Sequence, residues 1–373
     1  MKAMFLIAGL IAAFELAAMP LGLRTAAWSG EDDVMEFDDG AVLDDITLTG
    51  ETTLNLTGAA ISARSITLDG TPTVSIDSLP PDGLLVPLTD GVFQEGALDL
   101  IVDGAALDGY AAVVEPDGLY ALPIGVAAVG GQTFATLAGA FKAAKSGDAV
   151  TLLRDYDARL RIDIAPGASL ALDLGGNALS FASRWAFNVG DGSLVVSNGA
   201  LTCSQYGFYV LDGALVFADG IDARARGRVV QIHGAGAVDI CENARLETAL
   251  DDPVVFAVGG FGGRARVASR GTLVQNYAGI GPNTAYAIAG NPDDTYGADF
   301  ALSGPGGVYF ARSPDASIHH PDGQGGEVAI SGGWFSIAPD FEWLAPRLSL
   351  QREALDGWDG WRVVFNGFFL FVR

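Results

Sequence analysis

The feature that most restricts this chain is a ladder of similar short segments through its second half: SLALDLGGNAL, SLVVSNGAL, ALVFADGI, AVDICENARL, RARVASRGTL, DFALSGPGG and EVAISGGWF. Superposing the apolar-x-apolar pair of each sets Leu172/Leu174, Leu194/Val196, Leu215/Phe217, Val238/Ile240, Ala265/Val267, Phe300/Leu302 and Val328/Ile330 in register. By subtraction, the first members lie 22, 21, 23, 27, 35 and 28 residues apart, a drifting period in the solenoid range. A polar or glycine-containing turn follows each pair, and a second strand-like run precedes several of them: WAFNV, GFYVL, VVQIH and VVFAV. A unit of two or three short strands cannot bury its apolar face alone. Stacked on its neighbours it can, with inward side chains aligned in columns.

The expected fold is therefore all-β, a right-handed parallel β-helix (β-solenoid) running from about Val150 to Phe335. Leu172, Leu194, Leu215, Val238 and Phe300 are expected in one inward column. The longer late steps place loops at 291–297 and 313–326, where insertion into one turn costs little. Fifty glycines among 373 residues, with few Lys or Gln, agree with many short strands and tight turns. An antiparallel sandwich with regular strand spacing is the competing arrangement.

Four segments follow. Residues 1–27 (MKAMFLIAGLIAAFELAAMPLGLRTAA) carry Lys2, an apolar stretch and small residues suited to cleavage, the pattern of a secretory signal peptide. Glu15 is foreign to such a stretch, and the apolar run is long enough for an uncleaved anchor, so both readings stand beside a misassigned start. Cleavage would place the mature start near Trp28 and leave no stable membrane span. Residues 28–123 read as a smaller N-terminal β-rich module, in which DDITLTGETTLNLTGAAISARSITLDGTPTVSID alternates apolar and polar residues. LDLIVDGAALDGYAAVVEPDGLYAL continues it as hairpin-like strands, with Leu79-Pro80-Pro81-Asp82-Gly83 as an internal break. Residues 124–340 hold the β-helix with a capping helix at 136–145, N-capped by Thr136, whose apolar Leu137, Ala140, Phe141 and Ala144 seal the open end of the core. Residues 341–373 form a C-terminal β cap.

IGVAAVGGQTFATLAGAFKAAKSGDAVTLLRDY and IDIAPGASLALDLGGNALSF resemble the opening of pectin-lyase-like β-helix modules of bacterial secreted and surface proteins. ISGGWFSIAPDFEWLAP followed by GWDGWRVV is similar to the way such modules close. The first module resembles passenger segments of autotransporter-like proteins. The resemblance spans about Ile124 to Val364 and implies fold and export. It implies no reaction.

Folds of this kind include hydrolases, which bring several carboxylates into one groove. The nearest acids here are Asp219, Asp222, Asp239, Asp251 and Asp252, with His233 in IHGAG, and they do not reproduce the Asn-Thr-Asp, paired-Asp, Gly-His-Gly and Arg-Ile-Lys series of that family. Lyases of the fold use Ca²⁺ and an Arg base. Arg224, Arg226 and Arg228 alternate and as one strand would share a face, while a solvated turn edge explains them equally well. His319 and His320, with Asp315 and Asp322 nearby, lack the third and fourth spaced ligands of a zinc site. Asp32, Asp33, Asp38, Asp39, Asp44 and Asp45 fit no calcium loop. Gly259 to Gly263 (GGFGG) lack the helix and Lys of a phosphate loop.

Trp334, Trp343, Trp358 and Trp361 gather near the C-terminus, either stacking on sugars or forming a cap under a last hairpin with turns at Asp356-Gly357 and Asp359-Gly360. No catalytic, cofactor-binding or metal-ligating residue is assigned. The formal charge of −24 opposes nucleic acid as a partner. The function expected is a non-catalytic, secreted or cell-surface scaffold, structural or adhesive, with glycan or surface protein as its partner class. The alternative is a pectin-lyase-like carbohydrate-active enzyme. Cys203 and Cys241 fall on different sides of the unit and two rungs apart, about 10 Å along the axis, and are expected to stay unpaired.

Overall fold

The computed structural model describes residues 28–29, 34–36, 39–50, 52–248, 256–275, 286–290, 298–303, 307–311, 328–336, 338, 344 and 346–366. The fold is all-β, about 60% strand and 3% helix, and its stacked parallel coils form a β-solenoid of about 10 turns. The expected signal segment, the loops at 291–297 and 313–326, and Phe300's side chain lie outside the described residues. The chain divides into two compact units, Met1–Gly125 with Phe134–Gly139, and Val126–Thr133 with Ala140–Arg373.

Among the described residues of the second unit, the coils from Ala149 to Gly290 cross three faces. Ser169–Asp173 lies on the first, Ala178–Phe181 on the second and Trp185–Gly190 on the third, and the next coil starts at Ser193–Ser197, parallel to Ser169–Asp173. The long strand Phe256–Ser269 pairs with third-face Arg228–Gly234 and then with first-face Ala237–Ile240, so it carries one coil around a corner without a break. Inward positions form columns. On the second face Leu179, Leu201, Ala223, Leu246 and Leu273 are paired in succession and buried. On the third face Phe187 and Phe208 stack at 4.8 Å and 6° between ring planes, continued by Val230 and Val258. Aromatic stacking of this kind adds to the area term that drives burial.

The first-face register corrects the sequence alignment at two steps. Leu194, Leu215 and Val238 share a column as expected, but the residue below Leu194 is Leu170, while Leu172 pairs with Val196. Val267, not Ala265, continues Val238, and Phe300 pairs with Ala265 in a different column. The reason is that SLALDL offers Leu170, Leu172 and Leu174 at alternate positions. Hydrophobic pattern alone allows either superposition, and a shift of two residues keeps the same face.

Corners are set by backbone conformation. Between the first and second faces, Gly176, Asn198 and Gly220 have φ of 82°, 59° and 79°. Asn is the side-chain-bearing residue best suited to that region, since its short amide tolerates the left-handed conformation. Between the third and first faces the constraint is space. A Cβ on Gly213 would stand 2.1 Å from the carbonyl oxygen of Gly192 in the coil before.

The coil begins at helix α1, Leu137–Ala143, shorter than the expected 136–145. The Thr136 hydroxyl accepts from the Gly139 amide at 2.9 Å, the N-cap bond read from the sequence. Ala140 and Phe141 are buried, and the Phe141 ring meets Phe187 edge-on at 6.2 Å, so the helix covers the first aromatic layer of the coil. At the other end Leu348–Leu355 and Trp358–Phe365 form an antiparallel hairpin, and the second of these pairs antiparallel with Trp334–Phe335. Asp356 and Gly357, at φ 51° and 82°, make its two-residue turn. Asp359-Gly360 is not a turn: Gly360 lies inside the strand, where a Cβ would reach within 2.2 Å of the Trp334 ring.

The first unit contains a smaller coil of its own. Val42–Thr49 pairs parallel with Ser62–Asp69, and Thr53–Asn55 with Thr73–Ile76, around buried Leu48, Leu54, Ile66 and Val74. The expected hairpins follow: Asp99–Val102 with Ala105–Leu107 and Tyr110–Glu115 with Gly118–Pro123. Glu95 of the strand Gln94–Ala97 accepts from the Ala135 amide at 2.6 Å and from the Thr136 hydroxyl.

Gly213→Ala is expected to lower stability by about 1–3 kcal/mol, because the new methyl meets backbone that cannot yield locally. An unchanged urea midpoint would contradict the tight corner. Burial lifts the Glu95 carboxyl above its ordinary 4.5, outweighing the hydrogen bonds that act in the other direction. With the folded pKa above the unfolded one, the folded state binds the extra proton, so stability rises as pH falls through the folded value and is lost as pH rises. The wild-type urea midpoint, relative to Glu95→Gln, should therefore increase from neutral pH toward about 4.5. A pH-independent difference would contradict the assignment.

Candidate functional site

Outward side chains on the coil are mostly spent on the neighbouring coil. Ser193 donates to Ser169 at 2.8 Å, Asn198 to Asp173 at 3.2 Å and Asn188 to Asp163 at 2.8 Å. On the second face Arg224 pairs with Asp222 at 3.0 Å and with Glu247 of the next coil at 3.6 Å, and Arg245 reaches the same Glu247 at 3.1 Å. The carboxylates raise the Arg224 pKa through its hydrogen bond to Asp222 and their charge. Exposed pairs of this kind contribute well under about 1 kcal/mol each, and of these three Arg224–Glu247 joins one coil to the next.

The candidate acids do not converge. Asp219 is at the corner after the first face, with its carboxylate 3.5 Å from the Asn243 amide, Asp222 is on the second face, Asp239 on the first and His233 on the third. Asp251 and Asp252 lie outside the described residues, as do Asp32, Asp33, Asp38, Asp315, His319, His320, Asp322 and Trp343. Of the two readings of the three arginines, one strand face or a turn edge, the structure gives the turn. The strand Ile221–Ala225 ends before Arg226, whose amide bonds Cys203 at the corner, and Arg228 opens the third face. Asp39 accepts from the Ala60 amide at 3.0 Å, while Asp44 and Asp45 both hold Arg64, so these carboxylates serve the first coil. Gly259 to Gly263 are part of a strand, which cannot cradle a phosphate as a loop before a helix does. A groove of about 300 Å³ at the third corner is lined by Gly192, Gly213 and Ala214 with Asp212, whose carboxylate is taken by the Ala235 amide at 2.8 Å.

At the C-terminal end Trp334 is fully buried and its indole donates to the Glu353 carbonyl at 2.9 Å. Arg362 pairs with Glu353 at 2.6 Å, and Arg352 lies 5.2 Å over the Trp361 ring. Trp334 is the cap expected under the hairpin, and Trp358 is exposed.

A cluster of partly exposed aromatic groups lies on the third face, and sequence reasoning missed it. Trp185 and Tyr206 of adjacent coils are paired in register with ring centroids 4.8 Å apart, and Tyr209 meets Trp185 edge-on at 5.7 Å. All three are partly exposed. Arg184 and Arg228 lie over the Tyr206 ring at 5.8 and 5.3 Å, and His233 packs on Tyr209 at 4.9 Å. Arg228 donates to the Gln231 side-chain Oε1 at 2.7 Å, and Gln231 Nε2 lies 2.6 Å from His233 Nε2. A signal was present: WAFN, YGFY and RVVQ, taken at Trp185, Tyr206 and Arg228, align their first and fourth residues.

Comparison with protein-family models, with curated proteins and with solved structures finds no match. Among the described residues no helix is long and apolar enough to cross a membrane.

Cys203 and Cys241 are both free thiols. Cys203 occupies the inward column between Phe181 and Ala225, and burial pushes its thiol up to about 12. Cys241 follows a first-face strand and is partly exposed. In the native protein at neutral pH, iodoacetamide is expected to label Cys241 and spare Cys203, with both labelled after unfolding without reductant. Native labelling of Cys203, or loss of both thiols in the unreduced unfolded chain, would contradict this placement.

Proposed function

We propose that the chain is an exported, non-catalytic β-solenoid scaffold of the cell surface or the secreted fraction, which presents a partner-binding surface on the outside of its coil. The observation that carries the reading is the dispersal of Asp219, Asp222, Asp239 and His233 over different faces, with Asp222 paired to Arg224 of its own strand, which also reaches Glu247 of the next coil. Glycoside hydrolysis needs carboxyl groups facing each other across one bond, and this arrangement supplies a ladder instead. Export is supported by the positively started, apolar N-terminal stretch ending in small residues. A net charge of −24 suits a soluble surface in contact with water and keeps nucleic acid away.

Two measurements test the parts separately. N-terminal sequencing of the native product should find a start near Trp28; an intact Met1 in the membrane fraction would replace secretion with anchoring. The purified chain should neither hydrolyse polygalacturonate nor eliminate it with Ca²⁺ present. Turnover abolished by Asp251→Asn or Arg226→Ala would overturn the non-catalytic reading.

A further inference from the structure

The closing hairpin ends the parallel stacking but leaves one strand edge of its own open. Trp358–Phe365 is paired on both sides, with Trp334–Phe335 and with Leu348–Leu355, whereas Leu348–Leu355 stands last in its sheet and, among the described residues, pairs on one side only. This edge strand is 8 residues long, has an unbroken register and contains neither Pro nor Lys. The strand at the opposite end of the same sheet, Tyr156–Ala158, has 3 residues. Long edges without such blunting are templates for pairing with another chain. We propose that Leu348–Leu355 pairs antiparallel with the same strand of a second copy, joining two molecules about a two-fold axis at Gln351. The inference goes beyond the scaffold reading and depends neither on export nor on the absence of turnover.

The backbone fixes which groups face outward. The Asn366 amide donates to the Arg347 carbonyl at 2.7 Å, and the alternation of an antiparallel ladder then turns the backbone groups of Ser349, Gln351, Glu353 and Leu355 toward Trp358–Phe365 as well. Val363, opposite Leu350, follows the same alternation by donating the other way, to the Gly333 carbonyl at 2.9 Å. The N–H and C=O groups of Leu348, Leu350, Arg352 and Ala354 therefore face the open edge. With Gln351 of one copy opposite Gln351 of the other, Leu350 meets Arg352 and Leu348 meets Ala354, so all four outward residues of each strand exchange bonds, about eight in total. Any other centre on the strand leaves an outward residue without its counterpart.

Side chains and charge agree with that register. On one face Leu348 meets Ala354 and Leu350 meets the aliphatic stem of Arg352, whose guanidinium lies over its own Trp361 ring at 5.2 Å. On the other face Ser349 meets Glu353 and the two exposed Gln351 amides meet each other. No like charges are opposed. Residues 347–366 carry Arg347, Arg352 and Arg362 against Glu353, Asp356 and Asp359, so the hairpin is neutral in a chain of charge −24. Two copies can approach here without the repulsion that the chain as a whole imposes. An unrelated extended peptide would form the same backbone bonds, but a second copy brings an edge that is its own complement in hydrogen bonds, side chains and charge.

The test is sedimentation velocity of the purified chain between about 1 and 100 µM, the range of a weak specific contact, with reductant present so that Cys241 forms no crosslink. A dimer that grows with concentration is expected. Leu350→Pro removes an outward N–H from each copy and none that bonds Trp358–Phe365, and it should weaken the dimer by at least about tenfold. Gln351→Glu and Gln351→Lys each set like charges opposite one another and should weaken it by about two- to fivefold. An equimolar mixture of those two variants should restore association, because the mixed pair is of opposite sign. Circular dichroism and the urea midpoint establish that each variant is folded. The proposal is overturned if the wild type stays monomeric throughout, if folded Leu350→Pro associates as the wild type does, or if the charge mixture associates no better than either variant alone. None of these outcomes bears on the start of the mature chain or on turnover, so the scaffold reading stands or falls separately.

Discussion

Everything in this protein rests on the hydrogen-bond ladder between one coil and the next. A strand of four or five residues, such as Ala214–Phe217, has no stability by itself. Its backbone groups are satisfied by the coils on either side, and that pairing places Leu215 between Leu194 and Val238. Apolar burial follows from the ladder, since inward positions of successive coils become one continuous core. The same ladder explains the corners. Coils in contact leave no room for a side chain at Gly213, while Asn198 and Gly220 must adopt the left-handed backbone that turns the chain toward the second face.

A stacked core has two ends, and each is closed differently. Helix α1 covers the opening coil, capped by Thr136 and packed through Phe141 on Phe187. The closing hairpin Leu348–Leu355/Trp358–Phe365 pairs antiparallel on Trp334–Phe335, which ends the parallel stacking and buries Trp334. An uncovered end would present unpaired strand groups to other chains. Along the coil, outward polar residues tie neighbouring turns together, as Arg224 does between Asp222 and Glu247. This use of charge accounts for Asp222, which in isolation looks catalytic.

Much of the fold was legible because its signals are local. Alternation in SLVVS and ALVF marks strands, Asp356-Gly357 marks a two-residue hairpin turn, and Thr136 before an apolar helical spacing marks a cap. The register was legible only in part. Leu170, Leu172 and Leu174 are interchangeable as pattern, and buried Ser269 disguises an inward position as an outward one. The outer aromatic cluster was not legible as a cluster. Trp185 and Tyr206 are 21 residues apart in sequence, and the runs containing them read as ordinary core strands until the coils are stacked.

The sequence by itself determined the class of fold, the repeat that builds it and the residues that begin and end it, because period, turn chemistry and capping act over a few neighbouring positions. The tertiary structure alone decided which residues meet across coils: that Leu172 faces Val196, that Arg224, Arg226 and Arg228 separate around a corner, and that Trp185, Tyr206 and Tyr209 gather on one outer face. Those outcomes depend on how one turn lies on the next, a distance of about 4.8 Å in space but of twenty or more residues along the chain.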